Sequence, residues 1–147
     1  MTSDDAIYTR LGWAFKTAEN SAEPTKVGCV IYDATGELVG VGWNVAPVPS
    51  GMSRDARRPY AVHAETLALV HAFNRRTTGE PLTGCTAYVT HHPCVACMAQ
   101  LAVFGITRVI YALMPDNDRY DHADLAHAAH QVGITTIPVA WSQEDSP

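Results

Sequence analysis

Two cysteines three positions apart, Cys94 and Cys97, follow Pro93 in the stretch YVTHHPCVACMAQ, residues 88–100. Proline favours the first turn of a helix, so the spacing predicts both thiols on one face of a helix start. The backbone N–H groups there have no intrahelical acceptor, which favours thiolate over thiol. A distant His63-Ala64-Glu65 adds an imidazole and a carboxylate. Two thiolates and one imidazole make a donor set suited to zinc. We therefore expect His63, Cys94 and Cys97 as metal ligands. Three protein ligands leave a tetrahedral ion one open position for water. Glu65, two residues past His63, can reach that water without binding the metal, and is the expected acid/base group.

The same C-x-x-C spacing occurs in redox pairs and in structural zinc sites. A redox pair has no need of a His-Ala-Glu on another helix start. A structural site needs a fourth ligand, and His91 and His92 precede Cys94 so closely that tetrahedral geometry would be strained. Cys29 and Cys85 fall in or beside expected strands and read as buried free thiols. His71, His122, His127 and His130 read as surface or helix-face residues. Trp13, Trp43 and Trp141 read as core or interface side chains.

The elements that must position these groups follow from hydrophobic periodicity. Ser3-Asp4-Asp5 offers a cap and an acidic first turn, and Ile7, Leu11, Ala14, Phe15 and Ala18 keep helical spacing behind it. Runs 27–32 and 37–43 are β-rich and joined by Asp33-Ala34-Thr35-Gly36, a hairpin pattern. Residues 44–60 break the pattern with Pro47, Pro49, Gly51 and Pro59. Arg54, Arg57 and Arg58, three of the chain's 10 Lys and Arg residues, also fall there. A loop this long in a compact domain is often functional. A helix is expected over 62–77, carrying His63 and Glu65 in its first turn. A strand follows at 86–90, then a helix at 93–104 with Gly105 just past its end. A strand at 108–112, a polar loop at 113–121, a helix at 122–132 and a strand at 135–140 complete the order. A hairpin followed by alternating strands and helices implies a mixed sheet covered by helices. The helix between the fourth and fifth strands lets them run parallel.

At 147 residues the chain can bury one full core but not two, so a single domain over 1–147 is expected, with 142–147 as a frayed tail. A hydrophobic content of 47% marks it as globular. No apolar run is long enough to span a membrane, and none at the N-terminus resembles a signal peptide. The expectation is a cytoplasmic protein with reduced thiols and no membrane partner. A net charge of −5 gives no basic footprint, which argues against a nucleic-acid partner.

The H-x-E…P-C-x-x-C pattern is the recognised signature of zinc deaminases. Over residues 24–139 the chain resembles the cytidine and deoxycytidylate deaminase superfamily, and within it the deoxycytidylate (dCMP) deaminases. Lys26-Val27-Gly28-Cys29-Val30-Ile31 resembles their first strand. Gly42-Trp43-Asn44, with Ala46-Pro47 and Ser50-Gly51, resembles their G-Y-N-G-x-P-x-G turn. Tyr88-Val89-Thr90 and Pro93-Cys94-Val95-Ala96-Cys97 resemble their zinc strand and helix. Asp118-Arg119-Tyr120-Asp121 resembles a segment before their last helix. The resemblance implies an α/β fold, specifically a three-layer α/β/α cytidine-deaminase-like fold with a five-stranded mixed sheet. It implies hydrolysis of dCMP, or a C5-modified dCMP, to dUMP or its analogue with release of ammonia. It also implies a homo-oligomer, with a hexamer as one size. In substrate binding it implies the Ala64 backbone at the base edge, Asn44 at the sugar, and Tyr120. Lys26, Ser50 and the loop arginines Arg54, Arg57 and Arg58 are the candidates for a 5′-phosphate, because guanidinium matches phosphate with a planar fork of donors. Leu67 departs from the pattern, standing where dCMP deaminases carry Asn, and Val45 replaces the second Gly of the turn. Three alternatives stay open: a tRNA adenosine deaminase, a guanine or other free-base deaminase, and a zinc-stabilised binding module.

Overall fold

The computed structural model describes residues 3–75, 81–114 and 122–142. Its elements are α1 (Ser3–Ala18), β1 (Gly28–Tyr32), β2 (Leu38–Trp43), α2 (Arg54–Arg57), α3 (Ala64–Arg75), β3 (Thr86–Val89), α4 (Val95–Val103), β4 (Arg108–Leu113), α5 (His122–Gln131) and β5 (Thr135–Ala140). The strands pair in the order β2-β1-β3-β4-β5. β1 is antiparallel to both β2 and β3, whereas β3, β4 and β5 run parallel. The mixed sheet expected from the element order is present, including the parallel fourth and fifth strands.

Strand alternation sorts the core into two layers. Cys29, Ile31, Ala87, Val89 and Val109 point to one face, where Ala68, Leu69, Met98, Leu101 and Ala129 of α3, α4 and α5 cover them. Val30, Tyr88, Ile110 and Ala112 point to the other face, against Leu11 and Ala14 of α1. The result is the three-layer α/β/α architecture. Among the described residues no helix is long and apolar enough to cross a membrane.

Two glycines of β2 set the distance between the sheet and α3. A Cβ on Gly40 would lie 2.5 Å from the Ala68 carbonyl oxygen, and one on Gly42 would lie 2.3 Å from that of Ala64. Real side chains do not tolerate such approaches, so α3 lies against bare backbone, with its N-terminus at the end of β2.

Three local expectations are corrected. The helix carrying His63 and Glu65 begins at Ala64, not near 62, because Val62 and Val45 exchange backbone hydrogen bonds of 2.7 and 3.0 Å that hold Val62 extended. The cysteine helix begins at Val95, with Cys94 as its N-cap residue. The 44–60 segment is not wholly irregular: Ser53 caps α2, and a 3₁₀ turn, Arg58–Tyr60, follows it. Gly105, with φ of 97°, does end α4 as its position implied. Residues 118–121, including Tyr120, lie outside the described residues, as does most of the 142–147 tail.

Candidate active site

Because β1 runs against β2 and β3, its N-terminal end lies beside their C-terminal ends. Helices α3 and α4 start at this same edge, the usual ligand side of an open α/β sheet. The backbone carbonyl of His63 accepts from Leu67 N–H at 3.2 Å, and that of Cys94 from Met98 N–H at 2.9 Å. Each residue thus closes the first turn of its helix. Cys97 lies one turn into α4 and is buried. Thr66 Oγ1 donates to Gln100 Oε1 at 2.5 Å and ties the two helices together.

His63 Nδ1 lies 3.1 Å from Cys97 Sγ and 3.6 Å from Cys94 Sγ, and the three donor atoms all fall within 4.8 Å of one another. A tetrahedral zinc with ordinary bond lengths separates an imidazole nitrogen from a thiolate sulfur by about 3.6 Å, so the trio fits that ion. Electrostatics agree. Hydrogen bonds from Cys97 and His63 pull the Cys94 thiol down to about 4. Cys97 is pushed up, first by its bond to Cys94 and then by burial. The bond to Cys94 raises the His63 imidazole.

Glu65 points inward and is only 3% exposed. Burial raises its carboxyl above the ordinary value, offset in part by backbone hydrogen bonding and by His63. Beneath it, burial and the charge of Glu65 raise the Cys29 thiol. Cys29 and Cys85 are buried free thiols, as expected. A carboxyl raised by burial in a cleft is a candidate proton-transfer group.

His63, Glu65 and Cys94 open into a cavity of about 330 Å³. Ala64 and Asn44 also line it. The Asn44 side chain is largely engaged: Oδ1 accepts from Val27 N–H at 2.9 Å and Nδ2 donates to the Thr25 carbonyl at 2.6 Å. One amide N–H remains for a ligand.

The phosphate candidates separate. Arg58 lines the cavity, while Lys26 and Ser50 do not. Thr25 and Val27 line the cavity, whereas Lys26 Nζ donates to the Ser21 carbonyl. Arg57 lines the cavity, but Glu23 and two backbone carbonyls take up its guanidinium. Arg54 is the third loop arginine among the candidates. It lines the same cavity, and its Nη2 donates to Thr25 Oγ1 at 3.2 Å. His91, weighed only as a zinc ligand, and Leu125 of α5 line it as well. The position of His91 just beyond the end of β3 was the available signal for it.

A family model described as the cytidine and deoxycytidylate deaminase zinc-binding region matches residues 1–113. The human deoxycytidylate deaminase is 32% identical over 140 residues, covering 83% of this chain and 72% of that protein. The deoxycytidylate deaminase of Mycobacterium phage D29 is 38% identical over 120 residues, covering 69% and 89%. The crystal structure of dCMP deaminase from the cyanophage S-TIM5 superposes with a TM-score of 0.68 at 24% identity, covering 95% of this chain and all of that one. That likeness shows the fold. His63, Cys94 and Cys97 are positioned as the zinc ligands such a region requires. The chain belongs to the cytidine and deoxycytidylate deaminase zinc-binding family.

Proposed function

We propose that this protein is a zinc-dependent hydrolytic deaminase that converts dCMP to dUMP and ammonia. The observation that carries this reading is one cavity joining two features. His63, Cys94 and the buried Glu65 line it, with buried Cys97 completing the metal set within 4.8 Å, and the cationic Arg54 and Arg58 line it too. The relatives named deoxycytidylate deaminase support the same choice of substrate.

When bound, zinc supplies a Lewis acid that makes water a usable nucleophile at neutral pH. Glu65 takes a proton from the attacking water and gives it to N3 of cytosine, then takes the second proton from the new C4 hydroxyl and gives it to the departing amine. Its burial favours the protonated form, which eases the second transfer. The Ala64 backbone, at the start of α3, is suited to the base edge. The remaining Asn44 N–H is suited to the sugar. Arg54 and Arg58, with Thr25 beside them, are suited to the 5′-phosphate.

A homo-oligomer belongs to the same reading, supported by Val70, Phe73 and Val103, which are 47%, 43% and 83% exposed on neighbouring helices. A reducing, cytoplasmic setting suits the two thiolate ligands.

Leu67 favours a second reading, a tRNA adenosine deaminase, on that one position. The net charge of −5 opposes it. Ammonia release from dCMP, CMP, deoxycytidine, guanine and a tRNA anticodon stem tests both. Turnover fastest on dCMP is expected, and turnover confined to the RNA or to guanine overturns the dCMP reading.

A further inference from the structure

The short unit that carries Arg54 and Arg58 has little of its own to hold it in place. α2 is 4 residues long and, with the 3₁₀ turn behind it, buries no residue. From Ser53 to Ala61 every residue except Arg57 is exposed. One turn of helix is not stable alone, so its position has to come from contacts outside it. Arg57 supplies them. Its Nε and Nη2 donate to Glu23 Oε1 and Oε2 at 3.2 and 2.5 Å, and its Nη1 to the Pro49 carbonyl at 2.9 Å. The side chains of Arg57 and Glu23 are only 12% and 13% exposed, where salt screens an ion pair little. Arg57 also stands between Arg54 and Arg58 in the chain, so the anchor lies between the two arginines assigned to the phosphate.

Glu23 is itself held. Its N–H donates to Ser21 Oγ at 3.2 Å, and that hydroxyl donates to the Asn44 carbonyl at 2.8 Å. Two residues further on, Thr25 Oγ1 accepts from Arg54 Nη2 at 3.2 Å. The connection between α1 and β1 thus fixes Arg57 and touches Arg54. The position of Glu23 also calls for a use. Its carboxylate lines the cavity in which a nucleotide phosphate is expected, and like charges repel. A carboxylate there opposes the ligand unless what it holds in place outweighs the repulsion.

We propose that Glu23 and Arg57 are a positioning pair whose fork seats α2 so that Arg54 and Arg58 reach the 5′-phosphate, and that the pair thereby sets the preference for nucleotide over nucleoside. The assignment rests on the deaminase reading above. Both residues act through Arg54 and Arg58, not by contact with the substrate. Simple electrostatics and this anchoring have opposite signs. Glu23→Gln removes a repelling charge and releases Arg57, which on charge alone strengthens phosphate binding. With the pair as anchor, the same substitution weakens it.

The test measures kcat/KM for dCMP and for deoxycytidine in the wild-type enzyme, Glu23→Gln, Arg57→Gln, Arg57→Lys and the double variant Glu23→Gln/Arg57→Gln, with zinc content and Tm for each. The ratio of the two values on one sample cancels the folded fraction, so a loss of stability alone does not move it. In each single variant the ratio should fall by about ten-fold or more, the worth of one charge-assisted hydrogen bond, and the fall should lie in KM for dCMP. Arg57→Lys, the mildest change, belongs with the others because lysine keeps the charge but not the fork. The double variant should lose no more than about two-fold beyond the larger single loss, since either change undoes the same pair. Zinc content should stay at the wild-type value. A ratio that rises in Glu23→Gln overturns the proposal. A wild-type preference that survives to within about two-fold in the variants while Tm falls overturns it too, and leaves the phosphate reading standing. Losses that multiply in the double variant overturn it as well, because they mark Arg57 as a phosphate contact in its own right. A wild-type ratio near one removes the phosphate reading and the proposal with it. Ammonia release from neither substrate overturns the pyrimidine deaminase reading and the proposal together.

Discussion

Arg57 and Glu23 are joined by two parallel hydrogen bonds, Nε to Oε1 at 3.2 Å and Nη2 to Oε2 at 2.5 Å. The third nitrogen, Nη1, donates to the Pro49 carbonyl at 2.9 Å and to that of Val48 at 3.4 Å. The fork thus ties the 44–60 segment to the connection between α1 and β1, and both form cavity walls. The hydrogen bond from Arg57 holds the Glu23 carboxyl below its ordinary value of 4.5. A carboxyl lowered in the folded state adds stability above its unfolded value and loses it as pH falls through the folded one. The Tm difference between wild type and Glu23→Gln should therefore be widest near neutral pH and close as pH falls through and below the ordinary carboxylate range. A difference that stays constant through that range would show that the ion pair does not stabilise the fold.

The occupied state of Arg57 moves the phosphate prediction to Arg54 and Arg58. Each charge-assisted hydrogen bond to a phosphate is worth roughly 1.5–3 kcal/mol. Two would give dCMP an advantage over deoxycytidine on the order of 10²–10⁴ in kcat/KM. Replacing both arginines by glutamine should erode that advantage and leave deoxycytidine turnover nearly unchanged. Since both side chains are exposed, raising the salt concentration should narrow the gap in the wild-type enzyme as well. Equal kcat/KM for nucleotide and nucleoside in the wild type would return both arginines to an ordinary surface role.

What could be read in the sequence was set by short-range chemistry. The zinc donors are specified by residue type and by spacings within one helical turn, so His63, Cys94 and Cys97 could be named before any coordinates. Strand positions were legible because β1, β3 and β4 are short β-branched and aromatic runs, buried on both faces of the sheet. The phosphate contacts depend on relations that spacing does not encode. Arg57 is claimed by a carboxylate 34 residues earlier in the chain, a pairing that only the path of the 44–60 segment decides. Lys26 donates to the Ser21 carbonyl, a contact set by the turn between α1 and β1. His91 was masked by its neighbours: beside Pro93 and Cys94, a histidine invites comparison with the metal set.

Glu65 and the zinc ligands should separate on metal analysis. Cys94→Ala, Cys97→Ala and His63→Ala should lose zinc together with activity, and stability as well, because metal binding and folding are coupled. Treating the wild-type enzyme with a chelator should reproduce both losses. Glu65→Gln should keep its zinc and lose at least ~10²-fold in kcat, the usual cost of removing a positioned proton shuttle. Because the carboxyl is buried, the neutral amide should leave Tm at or above the wild-type value. Near-normal turnover by the Gln variant would exclude Glu65 as the shuttle, and retained zinc in all three ligand variants would remove the metal assignment.

The last prediction concerns how the sheet aims the site. On Gly42 a Cβ would sit 2.3 Å from the Ala64 carbonyl oxygen and 2.4 Å from the Ala68 amide nitrogen. Both contacts are backbone, so no side-chain rotation relieves them, and Gly42→Ala must push the first turn of α3 off the sheet. Overpacking of this kind costs about 1–3 kcal/mol. In a chain of this size that corresponds to a Tm lower by about 2–4 °C for each kcal/mol. His63 precedes that turn and Glu65 lies within it, so the same shift should move an imidazole ligand and the proton shuttle away from Cys94 and Cys97. The variant should therefore bind zinc more weakly and lose kcat beyond what its remaining folded fraction explains. Gly51 makes the control, because a Cβ there meets nothing within 4 Å. Gly51→Ala should leave Tm, zinc affinity and kcat near wild type. Full zinc affinity and kcat in folded Gly42→Ala would show that the approach of α3 to β2 sets stability but does not aim the site.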